Sequence, residues 1–515
     1  MILIIFPLKM KYLTLLFLSF SILGQGQTSE FFSPNSFVDK DRIEKIKSTF
    51  PLVEKMYNDH AVKNHFPGYS FGIVVDGQLV FKGSGGFSNL ENKTPASSSS
   101  LFRIASMSKS FTTAAILKLR DEGKLNLDDP IEKYLPGIKN QKLTKDGPPI
   151  SIRHCMNHLA GFPEDNPWGD RQLADSEEDL IQLIGKTLSF SNTPGVSYEY
   201  SNLGFAILGY IIHKVSGLPY NEYIQKNILR PIGMQHTTYE YSEVKTAWLA
   251  QGYRFIDGAW KIEPLLADGI YGAMGGMITS IDEFSQYVSL HQQAWPERND
   301  EDKMPIKRGT LREMHVPQAF IGLNPGYTLP NGKKMATTSS YTFGLNWMKD
   351  QWGKISLGHS GGLPGFGSNW RFMPEYGIGV IYFANVTYAP TSGLNVAILD
   401  TIIQLAQLKP RSVSISPILV KRQKEMLALL PSWENLPDIF ADNFFSDYIL
   451  KDLKAESNSL FSAAGKIISV SPIFPENQLR GYCILKGEKT SLKLSFTLTP
   501  EVPARIQEYD LIEIK

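Results

Sequence analysis

Ser106-Met107-Ser108-Lys109 continues as SFTTAAILKLRDE over residues 110–122, with apolar residues spaced as on one face of a helix. Residues three apart share a helix face, so the Ser106 hydroxyl and the Lys109 amine are expected side by side at a helix N-terminus. A serine is a weak nucleophile until a neighbouring base takes its proton. A helix N-terminus offers N–H groups and positive potential to a developing oxyanion. The tetrapeptide is not diagnostic by itself. Ser242 and Lys245 repeat the spacing, and a serine at a helix start is commonly just a cap. Gly123 follows the periodic run, where a left-handed cap would need it.

Two further motifs lie downstream. Thr193-Pro194-Gly195 precedes Tyr200-Ser201-Asn202, which leads into the almost wholly apolar run Leu203–Val215. Such a run predicts a buried helix able to pin the preceding loop. Taken alone, Tyr200 and Asn202 read as a packed ring and a capping amide. His359-Ser360-Gly361-Gly362 closes a predicted strand near Ile355–His359, and glycines there let another backbone approach closely. Taken alone, this reads as a turn between strands.

Around these motifs the elements alternate in blocks. Arg42–His60 reads as an amphipathic helix, and Tyr69–Phe81 as a hairpin turning at Asp76-Gly77. Strands recur at Asn369–Phe372 and Gly379–Phe383, with helical segments between the two groups. Within that block Ser280 and Glu283 form a capping-box pattern, and Gly217 closes the apolar helix. Residues 295–334 are polar and rich in Pro and Gly, which predicts a long excursion with little regular structure. Strands, helices, then strands predict an α+β fold: one antiparallel sheet flanked by helices, with a helical subdomain.

The three motifs, in this order, resemble those of the serine β-lactamases and penicillin-binding proteins, particularly the class C, D-aminopeptidase and carboxylesterase branches. The resemblance covers about residues 40–405. It includes Leu125–Pro130 with Tyr134-Leu135-Pro136, Ile152-Arg153-His154, His158–Gly161, Pro231–Met234 and Gly275-Gly276-Met277. It implies a serine hydrolase acting through an acyl-enzyme on peptide, amide or ester substrates, without a cofactor or metal. By the same resemblance Ser106 is the acylated nucleophile and Lys109 shares its proton network. Tyr200 serves as general base and acid, and whether Lys109 or Tyr200 is the operative base stays open. Asn202, His359, Gly361 and Gly362 bind substrate, with the N–H groups of Ser106 and Gly362 forming the oxyanion hole. Many β-lactamases have Lys where this chain has His359. An imidazole with an ordinary pKa of about 6.5 would face a substrate carboxylate with little charge. The expectation is therefore D-amino-acid peptides or esters in preference to β-lactams or D-Ala-D-Ala substrates.

Other readings compete. Gly358–Gly362 also fits G-x-S-x-G, but Pro364, Gly365 and Gly367 follow where that motif needs a helix, and no His lies beyond 359. His154, Cys155 and His158 suggest a metal cluster that no nearby partner set completes. A sensor or scaffold that keeps the fold without turnover is the non-enzymatic alternative.

The chain has 515 residues, 42% hydrophobic and 20% charged, with a formal net charge of +1. That balance gives no field for gathering nucleic acid, and the partner expected is a small molecule or peptide. Lys9 and Lys11 precede an apolar run, Leu13–Leu23, and small residues to Gly26. This is the layout of a signal peptide, from either Met1 or Met10, and it predicts a periplasmic or secreted protein with no integral span after cleavage. After Gln407 the residues around Leu408-Lys409-Pro410 read as a linker. Residues 412–515 form a small α+β accessory domain, helical from Val420 to Leu453, with strands at Leu479–Leu485 and Thr490–Thr499. Cys155 and Cys483 fall in different domains and are expected as free, buried thiols.

Overall fold

The computed structural model describes residues 32–514. The expected signal peptide lies outside them. The chain divides into two compact units, one of residues 34–414 and one containing residues 415–515.

The larger unit is built on a nine-stranded antiparallel sheet. Its strands are β1 Gly68–Val75, β2 Gln78–Asn89, β3 Thr94–Pro95, β4 Ala319–Thr328, β5 Lys334–Tyr341, β6 Asn346–Asp350, β7 Ile355–Leu363, β8 Phe366–Met373 and β9 Ile378–Ala384. Their order is β3-β2-β1-β9-β8-β7-β6-β5-β4, so the first and last strands of this sheet in chain order, β1 and β9, pair with each other. Asp76 and Gly77 both have positive φ, as a tight two-residue hairpin turn requires.

Helices cover both faces of this sheet. On one, Phe50–Lys63 and Ser392–Leu405 pack Val53, Tyr57, Ile398 and Ile402 on Phe71, Ile73, Val380 and Tyr382. On the other, Lys109–Asp121 and Ile281–Gln293 pack Phe111, Phe284 and Tyr287 on Trp370 and Phe383. Helix Asn202–Ser216 is buried from Asn202 through Ile212 and ends at Gly217 with φ 75°. The expected helical subdomain is present around it.

Several local expectations need correction. Arg42–His60 is two helices, Arg42–Lys47 and Phe50–Lys63, because Pro51 has no N–H to continue the ladder. Residues 295–334 are largely irregular but carry more regular structure than expected, namely helix Arg308–Glu313 and edge strand β4. The β4 pattern is hidden because its pairing with β5 slips near Gly322 and again between Asn324 and Tyr327, which breaks the alternation of faces. Ser280 accepts from the Glu283 N–H as expected, but the Glu283 carboxylate accepts from Thr237 and His236 instead of closing a box. Residues 408–412 are not a free tether. Leu408 is buried, and Ser412 pairs with Ser36.

The second unit carries helices Pro417–Leu429 and Leu450–Ala464 over a five-stranded antiparallel sheet. Its strands are β10 Ile467–Val470, β11 Phe474–Pro475, β12 Arg480–Gly487, β13 Ser491–Leu498 and β14 Ile506–Ile514. Alternate residues of β12 and β13 face the core, where Cys483 lies buried and free.

Candidate active site

Ser106 sits in a 3₁₀ turn, Ala105–Ser108, that runs into helix Lys109–Asp121. The preceding Ala105 is held at φ 49°, a conformation rare for a residue with a Cβ. Strand β7 presses on this turn. A Cβ at Gly361 would come within 2.1 Å of the Ile104 carbonyl, so only glycine allows the approach. Ser368 Oγ donates to that same carbonyl at 2.7 Å and ties β8 to the turn.

Lys109 is wholly buried, and its Nζ has three polar neighbours. These are Asn202 Oδ1 at 2.7 Å, the Met274 carbonyl at 2.9 Å and Ser106 Oγ at 3.0 Å. Two of them are carbonyl oxygens that only accept. A neutral amine has two N–H bonds for those acceptors, which leaves its lone pair directed at the serine. Burial lowers the Lys109 pKa to about 7, while Asp170 and Asp165 pull the other way. An amine that is partly neutral at physiological pH can take a proton from a hydroxyl 3.0 Å away.

Burial raises the Tyr200 pKa well above 10, against a lowering influence from the Ser106 hydroxyl. The phenol therefore stays neutral and able to donate. Its ring lies 4.8 Å from Lys109 Nζ and 4.3 Å from the His158 ring. Asn202, expected to meet substrate, is instead fully buried, with Oδ1 on Lys109 and Nδ2 donating to Asn166 Oδ1 at 3.1 Å. It orients the amine. Gly361 and Gly362 both lie on β7, and a Cβ at Gly361 would also come 3.0 Å from the Ala105 Cβ.

His359 differs most from its expectation. It is buried rather than open to a carboxylate. Its Nδ1 donates to the Ser360 carbonyl, and its Nε2 accepts the Tyr341 hydroxyl at 2.9 Å. Burial, with the Lys109 charge nearby, lowers its pKa to about 3. Nitrogen-15 spectra are expected to show one neutral Nδ1–H tautomer for His359 from about pH 5 to 8. A midpoint above about pH 6 would restore the charge-reading role.

Sequence reasoning missed several supporting groups. Asp165 accepts the N–H groups of Asn202 at 2.6 Å and Leu203 at 2.9 Å, capping the buried helix. His158 Nδ1 accepts the Ser201 N–H at 3.0 Å and steadies the Tyr200 loop. Thr112 Oγ1 donates to the Ala273 carbonyl at 2.6 Å, and Ser108 Oγ accepts the Met277 N–H at 3.1 Å. These two clamp the Met274 segment against the Lys109 helix. None of these partners is near its target in sequence, and only an Asp or a His with no obvious task hinted at them.

The competing motifs resolve differently. Ser360 lies inside β7 and accepts from Asn369 Nδ2 at 3.0 Å, and strand β8 follows instead of a helix. His154 belongs to a capping box with Ser151, and burial raises the Cys155 thiol pKa to about 12. Among the described residues no group of three or more His, Cys, Asp or Glu side chains is arranged to hold a metal ion. No described helix is long and apolar enough to cross a membrane.

A turn bearing Ser106, a buried lysine and a tyrosine loop set against an antiparallel sheet match the serine-type β-lactamase and penicillin-binding architecture. The Beta-lactamase family matches this sequence over residues 52–403, and the chain belongs to that family. "Protein flp" of Staphylococcus aureus strain MW2 is 26% identical over 334 residues, 64% of this chain and 62% of the relative. The match thus spans less than two thirds of that relative's length. "Beta-lactamase-like protein 2" of Dictyostelium discoideum is 32% identical over 303 residues, 55% of this chain and 53% of the relative. Among solved structures, the octameric penicillin-binding protein homologue from Pyrococcus abyssi superposes with TM-score 0.59 at 22% identity. It covers 90% of this chain and 98% of its own. A penicillin-binding protein from Bacillus halodurans gives TM-score 0.55 at 21% identity, over 68% of this chain and 98% of its own.

Proposed function

We propose that this protein is a serine hydrolase that forms an acyl-enzyme on Ser106 and acts on peptides, amides or esters of the D-amino-acid peptidase or esterase type. The observation that carries this reading is the placement of Lys109 Nζ, with two carbonyl acceptors and Ser106 Oγ as its neighbours. Ser106 Oγ attacks the substrate carbonyl carbon while its proton passes to Lys109. The oxyanion is held by the N–H groups of Ser106 and Gly362. Tyr200 then donates its phenolic proton to the leaving nitrogen or oxygen and regains one from Lys109. Water enters by the reverse path and releases the acid.

The preference for non-lactam substrates rests on charge. His359 is neutral and occupied, so it offers no cation to the carboxylate of a penicillin or of a D-Ala-D-Ala peptide. A leader-like N-terminus supports action outside the cytoplasm, in the periplasm or secreted. Incubation with a fluorophosphonate probe is expected to give one covalent adduct, which peptide mapping assigns to Ser106. Labelling at Ser360 would move the nucleophile there, and no labelling together with no turnover of p-nitrophenyl esters would leave only a binding or scaffold role.

A further inference from the structure

Among the described residues three buried arginines, Arg42, Arg103 and Arg371, have an Nε without a hydrogen-bond partner. Two of them are otherwise answered. Arg42 donates to the Asp76 carboxylate and the Tyr376 carbonyl, and Arg103 to the carbonyls of Gly276 and Leu266. Arg371 is different. It lies on β8, 6% exposed, and its side chain donates only from Nη1 to the neutral Ser356 hydroxyl at 3.0 Å. A guanidinium keeps its charge in a protein and presents a planar fork of N–H donors. Burying it without a counter-charge costs far more than one missing hydrogen bond.

Carboxylates stand nearby but are committed elsewhere. Asp400 accepts from Lys333 at 2.6 Å and from Lys354 at 3.0 Å. Asp350 lies 3.4 Å from Lys354 Nζ and accepts the N–H groups of Trp352 and Lys354 at 2.9 Å. Two lysines balance two aspartates, and the charge of Arg371 is left over. Burial lowers the Arg371 pKa, and the opposing influence is the Tyr327 phenol rather than a carboxylate.

A cavity of about 30 Å³ opens at this point, between the sheet and helix Ser392–Leu405. Arg371, Lys354 and Ser356 bring donors to it, and Met335, Met348 and Met373 give it soft, polarisable walls. Its volume is close to the space one water occupies in the liquid. That is room for a monatomic anion and too little for phosphate, sulfate or a carboxylate metabolite. A water would answer the N–H groups but would leave the charge uncompensated.

We infer that this cavity is a chloride site, in which the ion completes Arg371 and joins β7 and β8 to helix Ser392–Leu405. It is separate from the Ser106 site and does not depend on the hydrolase reading.

The experiment follows the melting temperature of the full chain as sodium gluconate is replaced by sodium chloride at constant ionic strength. Gluconate is too large for the cavity. The wild type is expected to melt about 2–4 °C higher at about 100 mM chloride, along a saturating curve, as for a ligand that only the native state binds. Bromide should act in the same way. Arg371→Met keeps an unbranched apolar side chain and removes the charge, and its melting temperature should be equal in the two salts. Equal melting of the wild type in both salts would overturn the site, and so would a chloride effect that survives Arg371→Met. If that variant does not fold, wild-type crystals soaked in bromide decide the matter. An anomalous peak beside the Arg371 guanidinium and Ser356 Oγ is expected, and a water there instead would refute the proposal. A peak with no salt-dependent melting would mean an adventitious ion only, which also overturns it.

Discussion

Ser106→Ala is expected to lower kcat on a p-nitrophenyl ester by about 10⁴- to 10⁶-fold, the range seen when an activated serine is removed from a hydrolase that works as a unit. The fold should survive. Ser106 already has a Cβ in the turn, and only its hydroxyl is lost. Lys109 keeps Asn202 and the Met274 carbonyl, and Tyr200 keeps its packing on His158. The stability change should stay within about 1 kcal/mol, as for a single hydrogen bond. Stopped assays with the purified variant, beside its melting curve, decide the matter. Residual activity above about one tenth of wild type, in a preparation free of contaminating esterase, would place the nucleophile elsewhere.

Lys109→Met is expected to lower kcat/KM by about 10³-fold or more, consistent with the loss of a positioned base. Methionine retains most of the aliphatic stem and so limits the cavity. Two buried acceptors, Asn202 Oδ1 and the Met274 carbonyl, lose their donor, at a cost of about 1–3 kcal/mol each. A lower melting temperature should therefore accompany the kinetic loss.

The wild-type pH profile follows from the same amine. Below about 7 Lys109 is an ammonium ion and cannot take the Ser106 proton; above it the amine is neutral. Log kcat/KM should climb with unit slope as pH rises towards about 7 and level off beyond. The limb belongs to Lys109 together with the carboxylate of Asp170, since each charge shifts the other. A flat profile from pH 5.5 to 8.5 would mean that Lys109 is not the base.

Much of this site was legible before any tertiary contact was known. Helical spacing put Ser106 and Lys109 on one face, and their side chains meet at 3.0 Å. The apolar run after Asn202 announced a buried helix, and residues 202–212 are buried. Both are local properties in which a periodic pattern maps directly onto one element. Strand β4 was illegible for the converse reason. Its side chains are largely exposed and its register slips twice, so no periodic signal marks it.

His359, Asn202 and Asp170 mark the division between the two kinds of information. From residue type alone His359 and Asn202 read as substrate ligands, because an imidazole and an amide at motif positions are chemically able to bind one. Their actual partners, Tyr341 for His359 and Lys109 for Asn202, lie 18 and 93 residues away in the chain. Asp170 carried no sequence signal at all, and its partner Tyr388 is 218 residues distant. The sequence by itself determined the strongly periodic elements, the family motifs and the pairing of serine with lysine, since these are written in residues close together in the chain. Only the tertiary structure decided protonation, orientation and exposure at the site, because burial and long-range hydrogen bonds set the pKa and availability of each group.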